Sequence, residues 1–142
     1  MVNVEAVVAD GERYLMVVRS LAEEHAPGGL SLPGGKVESA GVCSEILEET
    51  ARREVLEETG VEIEPNPVYL WSSSFVADNG WPVVDVVFLC RYRSGTADAR
   101  QAEEVAAVRW MTAGEIFATA GLAPWTRRSI ELAEERRLTA GG

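Results

Sequence analysis

Arg53-Glu54-Val55-Leu56-Glu57-Glu58-Thr59-Gly60-Val61 is the stretch on which the reading of this 142-residue chain turns. Strong helix formers fill it and the residues before it, and Gly60 stands where a helix C-terminal cap belongs. The pattern predicts a helix from about Ser44, a plausible N-cap, to Thr59. At 100° per residue with Glu54 at the origin, Glu57 falls at about 300° and Glu58 at about 40°. The three carboxylates therefore share an arc of roughly 100°. Leu47 and Ala51 fall near the same side and Val55 beside it, so the acidic patch borders a stripe expected to be buried. Like charges three and four residues apart repel by a few tenths of a kcal/mol per exposed pair, and by more where water is excluded. A cation offsets that repulsion, and oxygen ligands at this density suit Mg²⁺ or Mn²⁺. Taken alone, the same glutamates also fit a solvated helix face, the reading that suffices for Glu48, Glu49 and Glu62.

Upstream runs Leu32-Pro33-Gly34-Gly35-Lys36-Val37-Glu38. Leu30 to Pro33 reads as a short extended piece that stops at Gly34-Gly35, and the two glycines allow a ligand close to the backbone. Joined to the helix, this lead-in makes the sequence resemble the Nudix hydrolase family. The family signature is G-x5-E-x7-R-E-U-x-E-E-x-G-U, with U an aliphatic residue. Glu45, seven residues, then Arg53-Glu54-Val55-x-Glu57-Glu58-x-Gly60-Val61 match its second part in full. Nine residues separate Gly35 from Glu45 where the signature has five. The extra four are expected as an exposed loop within Ser39 to Ser44, leaving the helical register intact.

The resemblance implies an α/β/α sandwich around a mixed sheet and the metal-dependent hydrolysis of a nucleoside diphosphate linked to another moiety. A nucleoside triphosphate or a nucleotide sugar is the expected substrate. The resemblance places Glu54 at the metal and water site, Glu57 and Glu58 as metal ligands, and Arg53 as the residue that orients Glu54. It lets the Gly35 carbonyl reach metal, and it adds an acid from a later loop, for which Glu104 or Glu103 is the candidate. The chemistry is consistent with such a set. Divalent ions neutralise the pyrophosphate oxygens and lower the pKa of water, and a carboxylate takes the proton. A non-catalytic nucleotide sensor with the same fold is the alternative. Intact Arg53, Glu54, Glu57 and Glu58 count against it.

The rest of the chain is consistent with one soluble domain over residues 1–142, at 46% hydrophobic and 25% charged residues. A net charge of -10 argues against general nucleic-acid binding, since no basic excess is there to displace counterions. No apolar run approaches a membrane span, and the N-terminus lacks a signal-peptide pattern. A cytoplasmic location is expected, with Cys43 and Cys90 as free buried thiols; a homodimer is left open.

Val4–Ala9 and Tyr14–Arg19 predict an N-terminal hairpin, and Val68–Phe75, Val83–Tyr92 and Val105–Trp110 predict further strands. Thr112 is expected to cap a short helix to Ala118, and Pro124 to start one ending near Arg137, with Thr139–Gly142 as a frayed tail. His25, the sole histidine, is expected at the surface. Core packing is the favoured reading of Trp71, Trp81, Trp110 and Trp125, while Phe75 and Trp81, flanking a turn, are the candidates for lining a substrate pocket.

Overall fold

The computed structural model describes residues 1–23, 28–38 and 41–141, so His25 and the Ser39-Ala40 part of the extra loop lie outside the described residues. Two apolar runs form its centre. β1 (Val2–Asp10) and β7 (Pro82–Ser94) pair in parallel, in register from Val2↔Val84 to Ala9↔Arg91. A parallel pair is covered on both faces, which is why Val4, Ala6, Val7 and Val8 are all buried, as are Val86, Val87 and Phe88. β2 (Arg13–Arg19) folds back on the end of β1 as the expected hairpin. It also pairs with β3 (Leu30–Ser31) and with β8 (Val105–Thr112). β4 (Gly34–Lys36) lies against β1, while β5 (Glu62–Ile63) and β6 (Val68–Val76) lie against β7. Every pairing except β1–β7 is antiparallel, so the sheet is mixed.

Side chains alternate across this sheet, and each face receives a different helix. Val4, Ala6 and Val8 of β1 pack with Val86, Phe88 and Cys90 of β7 against Ala51 and Val55 of α1 (Ile46–Thr59). On the other face Val7, Tyr14, Met16 and Val87 meet Ile116 of α2 (Ala113–Phe117) and Ile130 and Ala133 of α3 (Pro124–Gly141). This is the α/β/α sandwich that the resemblance implies. Each fully buried aliphatic side chain contributes about 1.5–3 kcal/mol, so both layers are held chiefly by burial. Thr112 caps α2 with a complete capping box through Glu115, as expected. Tyr14 ties α3 to the sheet by donating to Glu134 at 2.5 Å. Among the described residues, no helix is long and apolar enough to cross a membrane.

Several expectations need correction. Gly34-Gly35 does not end an extended piece; it is strand β4, paired to β1 through Val4↔Gly35 and Glu5↔Gly34. The reason for glycine is proximity, because a Cβ on Gly34 would lie 2.3 Å from the Val4 carbonyl oxygen. Helix α1 is capped by Glu45 and not by Ser44: Glu45 enters with φ 56° and ψ 40° and makes no side-chain cap bond. Cys43 is exposed on the loop before that helix; only Cys90 is buried, and both are free. Trp81 at a hairpin turn and Trp125 in the first turn of α3 are 64% and 59% exposed, not core residues. Helix α3 runs on to Gly141, since no breaker follows Arg137. β5 is a strand too short for a periodic signal.

Gly34→Ala should therefore destabilise by about 1–3 kcal/mol, the usual range for overpacking, and lower the melting temperature by several degrees. Gly41→Ala, which has nothing within 4 Å of the added methyl, should leave it unchanged. Equal melting temperatures for the two variants, read by circular dichroism, would contradict this packing.

Candidate active site

Helix α1 presents its glutamates at the end of the sheet where β4 runs. Ala51 and Val55 anchor it, and Gly60, at φ 78°, ends it by donating to the Leu56 carbonyl. The three carboxylates do not share one environment. Glu58 is 7% exposed, Glu54 is half-buried, and Glu57 is exposed. Gly35 abuts Glu54 so closely that a Cβ there would sit 2.4 Å from the Glu54 carboxyl carbon. Gly34 donates its backbone N–H to Glu58. The glycine pair thus reaches both inner carboxylates, one by contact and one by hydrogen bond.

Arg53 positions the outer edge of this group. Its Nη2 donates to Glu54 Oε1 at 3.1 Å and to the Lys36 carbonyl at 3.2 Å, bridging the helix to β4. Its Nη1 lies 4.0 Å from Glu38. Burial raises the Glu54 carboxyl above its ordinary range; Arg53 opposes the shift, and the charges of Glu57 and Glu104 add to it. Burial also pushes Glu58 up to about 8, reinforced by the Glu54 charge and moderated by the Gly34 N–H. Glu58 accordingly gives up its proton less readily than an ordinary carboxyl.

Of the two later acids, Glu104 acts electrostatically on both Glu54 and Glu58. The backbone explains its placement. After β7, Asp98 and Arg100 donate their N–H groups to the carbonyls of Thr59 and Glu58, which straps the chain across the end of α1. Ser20 then fixes Glu104 by donating to its carbonyl. Glu103 is exposed beside it and does not act on either inner carboxylate in this way.

Two acids that the sequence reading passed over complete the surroundings. Glu5 of β1 is registered opposite Gly34, and Asp85 of β7 lies opposite Asn3. Asn3 donates to Asp85 at 2.8 Å, and Asp85 is only 6% exposed. Burial holds the Glu5 carboxyl well above the usual range, with the hydrogen bond and charge of Asp85 next in effect and Glu58 adding to both. The signal in the sequence was an acid set among apolar residues, Glu5 beside Val4 and Ala6 and Asp85 between Val84 and Val86. Phe75 falls on the same face, opposite Val83 and one step out from the Ser73–Asp85 pair, whereas Trp81 stays at the turn with its N–H on Asn79. A separate cleft of about 370 Å³ lies along the first turns of α1, between Gly41-Val42-Cys43 and Thr50, and reaches Arg53 but none of the three helix carboxylates.

Among the described residues, no three His, Cys, Asp or Glu side chains converge tightly enough to enclose a cation as they stand. The chemistry of the donor set nevertheless fits a hard divalent ion. Glu54, half-buried, and Glu58, buried, are neighbouring oxygen donors, with a third carboxylate beside them. Among the described residues, Arg53 is the guanidinium that pairs with Glu54.

The NUDIX domain family matches residues 1–133, and the chain belongs to that family. Its members are hydrolases acting on phosphorus-containing anhydrides, and the activity of this chain falls in the same class. Solved structures agree over nearly the whole length. The MutT NUDIX hydrolase of Burkholderia pseudomallei is 25% identical, with a TM-score of 0.76 over 92% of this chain and 95% of its own. The NUDIX domain of Shewanella oneidensis NrtR, in complex with ADP ribose, is 27% identical, with a TM-score of 0.76 over 96% and 87%. The MutT protein of Methanosarcina mazei Go1, at 24% identity and a TM-score of 0.77 over 96% and 95%, shares the fold. No curated protein matches the sequence.

The raised Glu58 gives a pH test in metal-free buffer. Unfolded, this carboxyl loses its proton near 4.5; folded, it keeps it to about 8. Between those values the unfolded state binds fewer protons, so stability falls as pH rises. Glu58→Gln removes that loss. Its melting temperature should match wild type near pH 4 and exceed it at pH 8, and a gap that does not change with pH would refute the burial of this charge.

Proposed function

We infer that this chain is a single-domain, metal-dependent pyrophosphohydrolase whose substrate is a nucleoside diphosphate linked to a further group, a nucleoside triphosphate or a nucleotide sugar. The observation that carries this reading is the buried Glu54–Glu58 pair, pressed against a glycine strand and sensed by Glu104. Burial and the neighbouring charge resist ionisation of both carboxylates, and a bound cation would offset that resistance. Glu54, Glu57 and Glu58 would hold Mg²⁺ or Mn²⁺, with Glu104 and the Gly35 carbonyl as further donors. When bound, the ion supplies charge to the pyrophosphate oxygens and lowers the pKa of water.

The protein's own part is placement and proton transfer. Glu54 accepts a proton from the attacking water, a role suited to a carboxyl raised by burial. Arg53 fixes the Glu54 rotamer through its bond to Oε1, with the Lys36 carbonyl holding the guanidinium in place. Gly34 and Gly35 let β4 lie directly against β1 and the Glu54 carboxyl, where any side chain would intrude.

The nucleoside would lie on the sheet face beyond Gly34. There Glu5, Asn3, Asp85 and Ser73 form a polar patch, and Phe75 offers an aromatic surface at its far edge. Trp81, exposed at the neighbouring turn, is the second aromatic candidate. The ADP ribose complex of the similar Shewanella domain supports a nucleoside diphosphate with a second moiety as the ligand class.

Phosphate release measured over nucleoside triphosphates and nucleotide sugars with Mg²⁺ or Mn²⁺ tests this reading. Turnover should vanish with excess chelator and return with added metal. Glu54→Gln should lower kcat by about 10²-fold or more while leaving the fold intact. Undiminished hydrolysis in metal-free buffer, or near-normal kcat in Glu54→Gln, would overturn it; binding of nucleotides without turnover of any would favour the non-catalytic sensor.

A further inference from the structure

β6 is an edge strand, and its outer edge has none of the usual protection. Among the described residues it pairs only with β7, and residues 68–76 make no other backbone hydrogen bond. Exposed edges are normally blunted by charges or proline, because free N–H and C=O groups invite another strand. β6 reads Val-Tyr-Leu-Trp-Ser-Ser-Ser-Phe-Val, without a charge or a proline in nine residues. Val68, Tyr69, Phe75 and Val76 are large, apolar and about half exposed or more. Its neutrality extends beyond the strand. From Pro65 to Val84 Asp78 is the only charged residue, in a chain that is 25% charged overall.

We propose that β6 is a homodimer interface, pairing antiparallel with β6 of a second copy across a twofold axis near Ser72. The charge distribution selects the partner. Two copies that each carry a net charge of -10 repel over most of their surfaces. Close approach is least opposed where charge is missing, as along this edge and its hairpin. A basic partner would gain nothing there and would engage the acidic surfaces instead.

The strand is also self-complementary. Leu70 is an extra residue in the β6–β7 register, so Val68 and Phe75 both lie on the face bearing Leu89 and Val83. Antiparallel pairing centred on Ser72, allowing for that bulge, brings Val68 of one copy beside Phe75 of the other. The twofold makes this contact twice, and Tyr69 meets Ser74 on the opposite face in the same way. Cross-strand pairs of aromatic with β-branched residues are among the stabilising ones. Joining the two edges satisfies the outer backbone groups of both strands and makes one continuous sheet.

Light scattering after gel filtration tests the proposal on the full chain. The wild type should show twice the 15.4 kDa of one chain. The double variant Val68→Lys/Ser72→Lys puts two charges on each edge and should run at half the wild-type mass with an unchanged far-ultraviolet spectrum. Should that variant fail to fold, Ser72→Cys in a Cys43→Ser background serves in its place. Mild oxidation should then join two chains covalently, while Cys43→Ser alone stays unlinked. A wild type of 15.4 kDa at high concentration, a folded lysine variant that keeps the doubled mass, or absence of the cross-link would overturn the proposal.

Discussion

The contact of a two-glycine strand with both the first strand and the acidic helix governs the spacing of everything around the site. Gly34 is pressed against the Val4 carbonyl, and Gly35 against the Glu54 carboxyl, at separations that admit no side chain at either position. The Glu54 carboxyl is consequently packed directly against the β4 backbone, and the inner carboxylates of α1 lose water. The raised proton affinity of Glu58 follows from that approach. At the helix's far end, the strap through Asp98 and Arg100 fixes the same helix from the other side. One closely set strand and one strap thus hold a charge cluster that would otherwise push itself apart.

Much of the fold was legible because its elements obey simple periods. The N-terminal hairpin, the three long later strands and α1 with its Gly60 cap follow from alternation, helical spacing and punctuation. The capping box at Thr112 was visible for the same reason. Gly34-Gly35 was misread because a double glycine carries the same local signal whether it ends a strand or forms one under close packing. Glu45 at a left-handed N-cap was hidden because the sequence offers Ser44, a better cap by preference, one residue earlier.

The site was only partly visible for a related reason. Helical spacing puts Glu54, Glu57 and Glu58 on one arc, but it cannot tell which of them faces β4 and which faces water. That difference depends on a strand some twenty residues upstream. Glu5 and Asp85 were passed over because an acid within an apolar strand reads as a solvent-facing position. Their neighbourhood arises from the parallel pairing of β1 with β7, which no local pattern announces. Glu104 and Glu103 are adjacent in sequence, and what distinguishes their placement is the backbone of Glu104, which accepts from Ser20 and donates to Gln101.

The two free cysteines differ in a way that turns the molecule into its own reporter. Cys90 is almost fully buried, and its thiol is pushed up to about 12 by desolvation. Cys43 sits in open solvent at the wall of the cleft along α1. A thiol reagent at neutral pH therefore meets one reactive group per folded chain and two per unfolded chain. The stoichiometry of labelling counts unfolded molecules directly. A dye attached once, at Cys43, would stand at the mouth of that cleft without touching the sheet core.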